Sequence, residues 1–595
     1  MKRFRNFSPS SLVLILLCLF IFFFRLNHRE SKEISWDVFG YYLPLPATFI
    51  YNDPLLNDRS WVDQLNDEKH LSGTVYQIST TEKGEPMYFF LFGMSLFYSI
   101  FFFIGHFSAG IGGFPQDGFS DPYQISLVFG CMLYTFIGLY YLRKIMLYFS
   151  NERSTAIVLV MIVLGTNYAH HMTMKNLETV NVLFMLAALV IWNTIQWHLD
   201  YKLKNLLVIS IGLILMALVK PSEILFAFFP ILFGIKNRHS FRSKWEIIKS
   251  HRRQFYIAIS AALIIALPQA GYWFYKTGKP IYDTYKNAGV GLDFFSPHIW
   301  NTLFSFRKGW LIYTPIMIFA LIGFRQLYRT NKGVFIPVFG TFICSFFIVA
   351  SWTEWWYGAG FSIRPLITYY TLLSIPMVFF VDKLFEQKRI IQFAFIVLAS
   401  FFLFLNQFQW WQLRHYILDP YRTTKEYYWA IFLKKEVNKD KQKLMLVQRD
   451  FTGNDSFTDS LDYRAKVIME DKFSNNPNGV LLSDASKEFA MPIRIPYRKI
   501  TTKDHVWLAI SFEYKTDNKD LPILIALCME RKNGAYGYKT FELQNDVKQM
   551  QKANFYFLTP EIRSENDVFK IDLWKRSPGS ITIDNLKIRA FERQR

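Results

Sequence analysis

The sequence predicts a polytopic α-helical membrane protein followed by a C-terminal all-β sandwich domain. Of the 595 residues, 51% are hydrophobic, 18% are aromatic and only 19% are charged, whereas a soluble globular chain usually carries about 25% charged residues. Apolar runs long enough to cross a bilayer recur as far as residue 406, and beyond residue 465 the pattern changes to the two-residue alternation of β-strands. These features exclude a disordered protein, a coiled coil and an ordinary soluble enzyme.

The first predicted span begins close to the N-terminus. The basic residues MKRFRN precede SLVLILLCLFIFFF, an apolar run of 14 residues. A secretory signal peptide begins in the same way, but only RLNHRE follows this run, without a small-residue cleavage site. We therefore expect an uncleaved span whose N-terminus lies in the cytoplasm.

Ten further apolar segments have about the length needed to cross roughly 30 Å of bilayer hydrocarbon. Some are short, as expected for helices that are interrupted near a binding site. Together with the first span they predict a transmembrane domain of about 11 spans over residues 1–406. The ten segments cover approximately 123–142, 154–168, 179–197, 205–220, 223–235, 255–274, 310–327, 333–351, 365–381 and 389–406.

One more apolar run, at 88–108, decides the predicted topology. If it does not cross the membrane, five basic loops and the basic N-terminus fall on one side, as the positive-inside rule requires. If it does cross, the N-terminus lies opposite those loops. We therefore interpret 88–108 as a juxtamembrane or re-entrant helix within an outer loop of residues 25–122. The basic loops contain Arg143, Lys144 and Arg153, then Lys202 and Lys204, the 236–253 loop, Arg325, Arg329 and Lys332, and Lys383, Lys388 and Arg389.

The C-terminal part is predicted to lie on the outer side. Residues 407–464 have the mixed composition of an interfacial helix and linker, with Trp410, Trp411 and Trp429 at headgroup level. Residues 465–595 contain about eight alternating segments separated by turn residues, which predicts a β-sandwich of jelly-roll type. The closing strand ITIDNLKI resembles the last strand of carbohydrate-binding jelly rolls, although a structural cap without a ligand explains the domain equally well.

The net charge of +20 does not indicate nucleic-acid binding, because the excess of Lys and Arg in a membrane protein usually lies in cytoplasmic loops. The sequence contains no Walker-type phosphate loop, GxGxxG, HExxH or paired CxxC motif. An ATP-driven pump, a nucleotide-binding enzyme and a zinc protease therefore have no support. The four cysteines do not suggest a disulfide framework.

Asp37 is the first candidate for catalysis. It lies in ISWDVFGYYLPLPATF, about a dozen residues beyond the first predicted span, and aromatic residues surround it. An acidic residue at the membrane surface serves either to deprotonate an acceptor hydroxyl or amine or to hold a metal ion. A helix N-cap or a loop carboxylate is the structural alternative. The neighbouring Tyr41 and Tyr42 are candidates for substrate binding.

A long first outer loop with an early Asp, many spans and a soluble C-terminal domain resembles the GT-C superfamily of membrane glycosyltransferases. This superfamily uses polyprenyl-phosphate sugars and includes protein O-mannosyltransferases and lipid A aminoarabinose transferases. Across residues 1–430, blocks such as LGTNYAHH, VKPSE and WTEWWYGAGFSIRP are similar to GT-C-like proteins of Gram-negative bacteria. The resemblance implies that Asp37 is catalytic, and it leaves the sugar open.

The resemblance also selects a second acidic residue. The segment EKGEPMYFF is similar to the EKPP-L-Y-W motif that ends the first loop in the glycosyltransferase 39-like branch. The Pro-Pro pair is missing here, so either Glu82 or Glu85 could correspond to the acidic residue of that motif. We select Glu85, beside Pro86, as the second catalytic candidate and Lys83 as a substrate-binding candidate.

The block GTNYAHHMTMKNLE supplies the only candidate metal ligands, His170, His171 and Glu178. Two imidazoles and a carboxylate can hold a divalent ion, and in metal-using relatives an acidic residue from the corresponding loop contributes to the site. Interfacial histidines and a helix N-cap carboxylate are the structural alternative. No cofactor is otherwise predicted.

Four basic residues lie on the predicted outer side of the membrane, where the positive-inside rule disfavours Lys and Arg. Lys220 in VKPSE lies at the outer end of a predicted span, and Arg307, Lys308 and Arg364 precede later spans on the outer side. A lipid-linked phosphate would explain all four. The alternatives are a snorkelling Lys220 and, for the others, pairing with Asp293 or Glu354.

The segment WTEWWYGAG adds two aromatic candidates for substrate binding, Trp356 and Tyr357. They form either an aromatic belt at the membrane surface or a platform for a sugar ring, and the two glycines let the backbone approach a ligand closely.

The sequence therefore predicts a bacterial inner-membrane glycosyltransferase with a polyprenyl-phosphate sugar as donor. Its site would face outward, its C-terminal domain would be periplasmic, and its acceptor would be a glycan, lipid or protein of the cell envelope. A flippase of lipid-linked glycans would use the same cations but would favour inverted repeats, which are not evident. A non-catalytic envelope scaffold is the third alternative.

Overall fold

A computed structural model describes residues 8–285, 290–446, 463–474, 481–483, 488–503, 505–517, 522–531, 534–576 and 580–593. The predicted cytoplasmic residues MKRFRN and part of the predicted 407–464 linker lie outside these ranges. The chain divides into two compact units. The helical unit comprises Met1–Tyr285, His298–Ser351 and Trp355–Asn438, and the β unit comprises Lys286–Pro297, Trp352–Glu354 and Lys439–Arg595.

The helical unit contains twenty described α-helices and a short hairpin of strands β1 (Ile78–Thr80) and β2 (Pro86–Tyr88). The helices are α1 (Pro9–Asn27), α2 (Trp36–Tyr42), α3 (Pro44–Phe49), α4 (Ser60–Lys69), α5 (Gly93–Gly112), α6 (Asp121–Phe149), α7 (Glu152–Gly165), α8 (Tyr168–Thr173), α9 (Thr179–Asp200), α10 (Leu203–Val219), α11 (Phe228–Leu232), α12 (Arg238–Ser250), α13 (Arg252–Thr277), α14 (Ile299–Phe304), α15 (Trp310–Tyr313), α16 (Ile318–Thr330), α17 (Lys332–Ser351), α18 (Tyr370–Phe385), α19 (Arg389–Arg414) and α20 (Lys425–Ile431).

Seven of the described helices are long and apolar enough to cross a membrane: α1, α5, α6, α9, α13, α17 and α19. The other predicted spans are helical as well, but they are shorter or interrupted. Pro221, Pro315 and Pro365 each stand in the first turn of a short 3₁₀ helix at such an interruption. Proline favours this position because it has no amide hydrogen to donate to the preceding turn. The polytopic helical architecture predicted from the sequence is therefore confirmed.

The ambiguous 88–108 segment forms most of α5. The helix begins at Gly93, because residues up to Tyr88 pair in β2. By length and composition α5 belongs to the seven helices that can cross a membrane. Its placement on the outer face therefore stays a prediction.

Several of the predicted basic loops meet at one end of the helical unit. The amide of Gly234 donates to the carbonyl of Gly333 at 2.9 Å, and the Gln254 side chain donates to the Tyr201 carbonyl at 2.9 Å. These contacts join the loops before α10, around α12 and before α17. Helix α9 runs from Glu178 to this end, and its 22 residues separate its two ends by about 33 Å.

Two glycines permit close helix crossings in this unit. A Cβ on Gly93 would lie 2.3 Å from the Leu218 carbonyl carbon, so α5 begins in direct backbone contact with the end of α10. A Cβ on Gly323 would lie 2.0 Å from the carbonyl oxygen of Pro376, which brings α16 against α18 in the same way. Any larger residue would push these helices apart.

The β unit is a sandwich of two antiparallel sheets, which confirms the predicted fold of the C-terminal domain. One sheet has the order β5-β10-β7-β8, and the other has the order β3-β11-β6-β9 with β4 paired to β11. Their facing side chains form one hydrophobic core. The described elements are β3 (Tyr463–Asp471), β4 (Leu481–Ser483), β5 (Phe489–Pro496), α21 (Tyr497–Ile500), β6 (Trp507–Thr516), β7 (Leu524–Arg531), β8 (Gly534–Glu542), β9 (Val547–Leu558), β10 (Val568–Trp574) and β11 (Ile581–Arg593).

The two acidic residues proposed as partners for the outer cations belong to the β unit. Asp293 pairs with Arg531, and Glu354 Oε1 lies 3.1 Å from Arg563 Nη2. Both carboxylates therefore have arginine partners within their own unit. The sequence offers these two carboxylates as partners of Arg364, but Arg364 pairs with other residues.

Candidate functional site

Asp37 lies in the first turn of α2, where both of its carboxylate oxygens accept hydrogen bonds. The Tyr76 hydroxyl donates to Oδ1 at 2.6 Å, and Arg364 Nη2 donates to Oδ2 at 2.9 Å. The Gln77 side chain donates to the Trp36 carbonyl at 3.0 Å, which fixes the segment that carries Tyr76 against α2. Asp37 is therefore held by one neutral donor and one cation.

Arg364 joins Asp37 to a second carboxylate. Its Nη1 lies 3.3 Å from Glu178 Oε1, and Glu178 Oε2 lies 3.0 Å from His171 Nδ1. Glu178 occupies the N-cap position of α9 but makes no side-chain cap bond, so its carboxylate is directed to these partners. We call Tyr76, Asp37, Arg364, Glu178 and His171 the Asp37–Arg364 network.

The charges of this network depend on one another. Burial alone would raise the pKa of Glu178, but the Arg364 guanidinium, helped by His171, lowers it to about 2. Burial works against the charge on Arg364, yet Glu178 and Asp37 together raise the pKa of that guanidinium above its usual value. Both groups therefore remain ionised near neutral pH, and Arg364 offsets the cost of burying the Glu178 carboxylate.

The predicted metal site does not assemble. Among the described residues, no group of three His, Cys, Asp or Glu side chains is placed to hold a metal ion. His171 and Glu178 touch each other, but Arg364 lies on the free oxygen of Glu178 and would repel a metal cation. His170 is buried, and neither of its ring nitrogens has a hydrogen-bond partner in the described ranges. Burial, with His171 nearby, holds the pKa of His170 well below the usual value. Because the three side chains do not converge and Arg364 occupies Glu178, the residues present do not fit a divalent metal ion.

Tyr41 and Tyr42 have different surroundings although they are adjacent in α2. Burial raises the pKa of Tyr41, and neighbouring Tyr285 and Asp37 raise it further, so Tyr41 lies beside the network. Tyr42 is fully buried, and its hydroxyl donates to the Gly118 carbonyl at 2.5 Å. We therefore keep Tyr41 as a substrate-binding candidate and assign Tyr42 to packing, against the prediction.

Lys83 and Glu85 lie in the turn between β1 and β2, and both are exposed. The Glu85 amide donates to the Thr81 hydroxyl at 3.1 Å, which is a local turn contact. Measured along an extended chain at about 3.3 Å per residue, this turn begins roughly 15 Å after Tyr76. In the part of the chain that the structure describes, no contact joins Lys83 or Glu85 to the network, so neither residue is a member of it.

Two predicted cations lie beside the segment that leads to Arg364. Lys308 is buried and donates from Nζ to the Gly360 carbonyl. Burial, with Arg307 and Arg364 nearby, lowers the pKa of Lys308 far below its usual value. The Arg307 guanidinium carbon lies 4.2 Å from the centre of the Trp356 ring, and its Nε donates to the Tyr421 carbonyl at 2.6 Å.

The third cation, Lys220, follows the last residue of α10. Its Nζ lies 5.2 Å from the centre of the Tyr357 ring, and the Tyr357 hydroxyl donates to the Val349 carbonyl at 2.8 Å. Glu223, one helical turn further, accepts a hydrogen bond from the Tyr369 hydroxyl at 2.8 Å. Lys220 therefore does not simply snorkel into solvent but lies against an aromatic face in the same unit.

The segment 355–364 connects these groups through an unusual backbone. Tyr357, Gly358, Gly360 and Ser362 all have positive φ angles. A Cβ on Gly360 would lie 3.5 Å from the His171 ring, so the backbone passes directly over that imidazole. The segment thereby carries Tyr357, the carbonyl that binds Lys308, and Arg364.

Sequence reasoning missed three members of this region. Tyr76 carries no motif, and only the fold brings it to Asp37. Tyr285 lies far along the chain, and the fold brings its side chain to Tyr41 and its ring against Phe89 and Phe90. Glu223 had a signal, because its spacing of three from Lys220 places the two on neighbouring positions of a helical turn.

The arrangement places a carboxylate that can accept a proton close to side chains that can bind a negatively charged group. A carboxylate such as that of Asp37 can act as a general base toward a hydroxyl. Arg364, Lys308, Arg307 and Lys220 together supply the donors that anionic oxygens require. The aromatic faces of Trp356 and Tyr357 lie against two of these cations.

No protein-family model matches the chain, and no curated protein matches it. Among solved structures, the archaeal oligosaccharyltransferase AglB from Archaeoglobus fulgidus, in complex with an inhibitory peptide and a dolichol-phosphate, is similar at a TM-score of 0.41 and 11% identity, over 73% of this chain and 58% of that one. The arabinosyltransferase EmbB from Mycobacterium smegmatis is similar at a TM-score of 0.37 and 10% identity, over 100% of this chain and 66% of that one. The chain thus spans less than two thirds of either protein, and similarity at these scores gives no residue correspondences.

Proposed function

We propose that the chain is an integral-membrane glycosyltransferase of the GT-C type. It would transfer a sugar from a polyprenyl-phosphate donor to an acceptor on the outer face of a bacterial inner membrane. The observation that carries this proposal is the contact between Asp37 and Arg364, which places a carboxylate base beside a cation within the helical unit. The sequence identified each of these two residues as a candidate independently of the other.

In the proposed reaction, an acceptor hydroxyl attacks the anomeric carbon of the donor sugar while Asp37 takes the hydroxyl proton. The bond between the anomeric carbon and the phosphate oxygen breaks, and the lipid phosphate leaves with the bonding electrons. Cations stabilise the negative charge that develops on this leaving group. Lys220, Arg307 and Arg364 are the candidates for this role. Lys308, whose burial disfavours its charged form, binds the Gly360 carbonyl instead. Inversion at the anomeric carbon is what the GT-C resemblance implies.

The proposed outward orientation rests on the separation of charges along the helical unit. The network lies at the Glu178 end of α9, and three of the predicted basic loops meet at the other end, about 33 Å away. Because basic loops favour the cytoplasmic side, the network end would face outward. A polyprenyl-linked donor at that surface would reach it from the bilayer.

The test compares membranes from cells that make equal amounts of the wild type, Asp37→Ala or Glu85→Ala. Mass spectrometry measures polyprenyl-phosphate sugars, envelope glycolipids and glycoproteins in each. We expect Asp37→Ala to lose a glycosylated product and to accumulate its donor, whereas the matched Glu85→Ala variant resembles the wild type. The lost product identifies the acceptor.

If the wild type and Asp37→Ala yield the same products, Asp37 is not catalytic and the proposal fails. A flippase or a non-catalytic scaffold would then explain the chain better. A loss of product in both variants would instead implicate the first loop as a whole and would remove the special role given to the network.

A further inference from the structure

Helix α12 presents an exposed face that the proposed reaction does not use. The helix covers Arg238–Ser250, begins with a capping box at Asn237 and Ser240, and has no buried residue. Phe241 and Trp245 are 59% and 54% exposed. Large aromatic side chains that are exposed together on an ordered helix mark an interaction surface.

The side chains of α12 are arranged by helical spacing, with Phe241 and Trp245 exposed and Ile248 half-buried. Phe241, Trp245 and Ile248 are separated by four and three residues, so they lie along one side of the helix. Arg238, Arg242 and Lys249 are separated by four and seven residues and form an exposed basic row next to that apolar side. The helix is therefore amphipathic, and its apolar side is bordered by positive charge.

A third side of α12 is attached to the helical unit. Lys244 Nζ donates to the carbonyls of Pro230 and Phe233 at 2.7 Å each, at the end of α11. Ile247 packs against the hydrophobic core of the unit. Because this side is fixed, the direction in which Phe241 and Trp245 point is fixed as well.

The position of α12 in the chain indicates what its exposed side contacts. Only His251 separates it from α13, which begins at Arg252 and is one of the seven helices that can cross a membrane. The C-terminal end of α12 therefore lies directly beside a helix that can enter the bilayer. Exposed aromatic residues beside Lys and Arg at that depth match the interface between acyl chains and anionic headgroups.

We propose that α12 docks on the anionic headgroup surface of the membrane that the chain spans. Phe241, Trp245 and Ile248 enter the interface between headgroups and acyl chains, and Arg238, Arg242 and Lys249 bind lipid phosphates. The basic row distinguishes this surface from a purely apolar contact, because its attraction requires negatively charged lipids. The inference does not depend on the proposed transfer reaction.

The test uses the full chain in nanodiscs of phosphatidylcholine, with or without 30% phosphatidylglycerol. Cys18 and Cys344 are replaced by Ala, and an environment-sensitive fluorophore is attached to Trp245→Cys or, as the matched control, to the exposed and polar position of Glu246→Cys. A lipid-borne quencher reports depth. We expect at least threefold stronger quenching at position 245 than at 246, and we expect that difference only with phosphatidylglycerol.

A charge variant completes the experiment. The triple change Arg238→Glu, Arg242→Glu and Lys249→Glu is expected to lower quenching at position 245 to the level at 246, whereas replacing the three by Lys, Lys and Arg is expected to preserve it. Equal quenching at both positions in both lipids would overturn the proposal and leave a protein partner as the occupant. Quenching that is independent of phosphatidylglycerol would overturn the role of the basic row, and that comparison stands even if the triple Glu variant does not fold.

Discussion

Asp37 and Glu85 belong to the same predicted outer loop, and the sequence nominated both as catalytic, yet their surroundings differ completely. Asp37 contacts an arginine that is 327 residues away in the sequence. Glu85 is exposed, and its backbone contacts Thr81 within the same turn. The difference shows that a sequence motif can identify an acidic residue as a candidate. Its contacts with residues far away in the sequence then determine whether the carboxylate is placed for catalysis. The predictions below test this contrast.

The largest effect is expected at Asp37 itself. Asp37→Asn keeps the size of the side chain but removes the base, and loss of a general base typically costs about 10²- to 10⁴-fold in rate. We expect transfer by purified protein to fall by at least about 100-fold, without a matching loss of donor binding. Glu85→Gln is the matched variant and should retain activity within about twofold. Equal losses in the two variants would abolish the contrast.

The next effect is expected at Arg364. Removing one partner of a largely buried ion pair leaves an uncompensated charge and costs about 3 kcal/mol. Arg364→Ala should therefore lower both the Tm and the transfer rate, because Asp37 and Glu178 lose the cation they share. Arg364→Lys should recover the Tm in part but not the rate, because an ammonium group cannot bind two carboxylates in the geometry of the guanidinium. Full activity in Arg364→Lys would show that only charge matters there.

Glu178 gives the network a pH dependence. Its pKa is lowered from 4.5 to about 2 in the folded protein, so its ionised form contributes about 3 kcal/mol of stability. This contribution is fully present above pH 4.5 and is lost as the pH falls toward 2. Unfolding of the wild type, followed at several pH values below 5, should show this loss. Glu178→Gln should start less stable and lack this part of the acid sensitivity, and identical pH profiles would contradict the assignment.

The smallest effect is expected at Tyr76. Tyr76→Phe removes the hydroxyl that donates to Asp37 at 2.6 Å and leaves the ring in place. A hydrogen bond to a charged group contributes about 1.5 kcal/mol, so we expect a decrease in transfer of about tenfold. The same loss should be absent when Tyr76→Phe is combined with Asp37→Asn, since the acceptor of the bond is then already changed. An additive loss in the double variant would show that Tyr76 acts through another group.

The sequence predicted the architecture well because hydrophobic periodicity reports directly on spans and strands. All ten internal spans that were predicted are helical, and the C-terminal alternation forms a sandwich. The failures arose where backbone breaks decide the geometry. Pro315 lies inside the predicted span at 310–327, which the structure divides into α15, a 3₁₀ turn and α16.

The site was predicted one residue at a time and not as an arrangement. Asp37, Glu178, His171 and Arg364 were all nominated, but as a base, two metal ligands and a phosphate-binding cation. Only the fold shows that Arg364 stands beside Glu178, where a metal ion would have been expected. Tyr76 could not be found from sequence because a tyrosine in a loop has no distinguishing pattern.

The positive φ of Tyr357 has a consequence for the stability of the protein. A non-glycine residue in the left-handed region costs about 1 kcal/mol or more, and glycine would relieve that cost. Yet the tyrosine ring lies against Lys220 and its hydroxyl binds the Val349 carbonyl. The ring also packs against the hydrophobic core of the helical unit, and deleting such a ring costs about 3 kcal/mol or more. Tyr357→Gly would therefore destabilise the protein although it relaxes the backbone, so the side-chain contacts of Tyr357 hold a strained backbone in place beside Lys220.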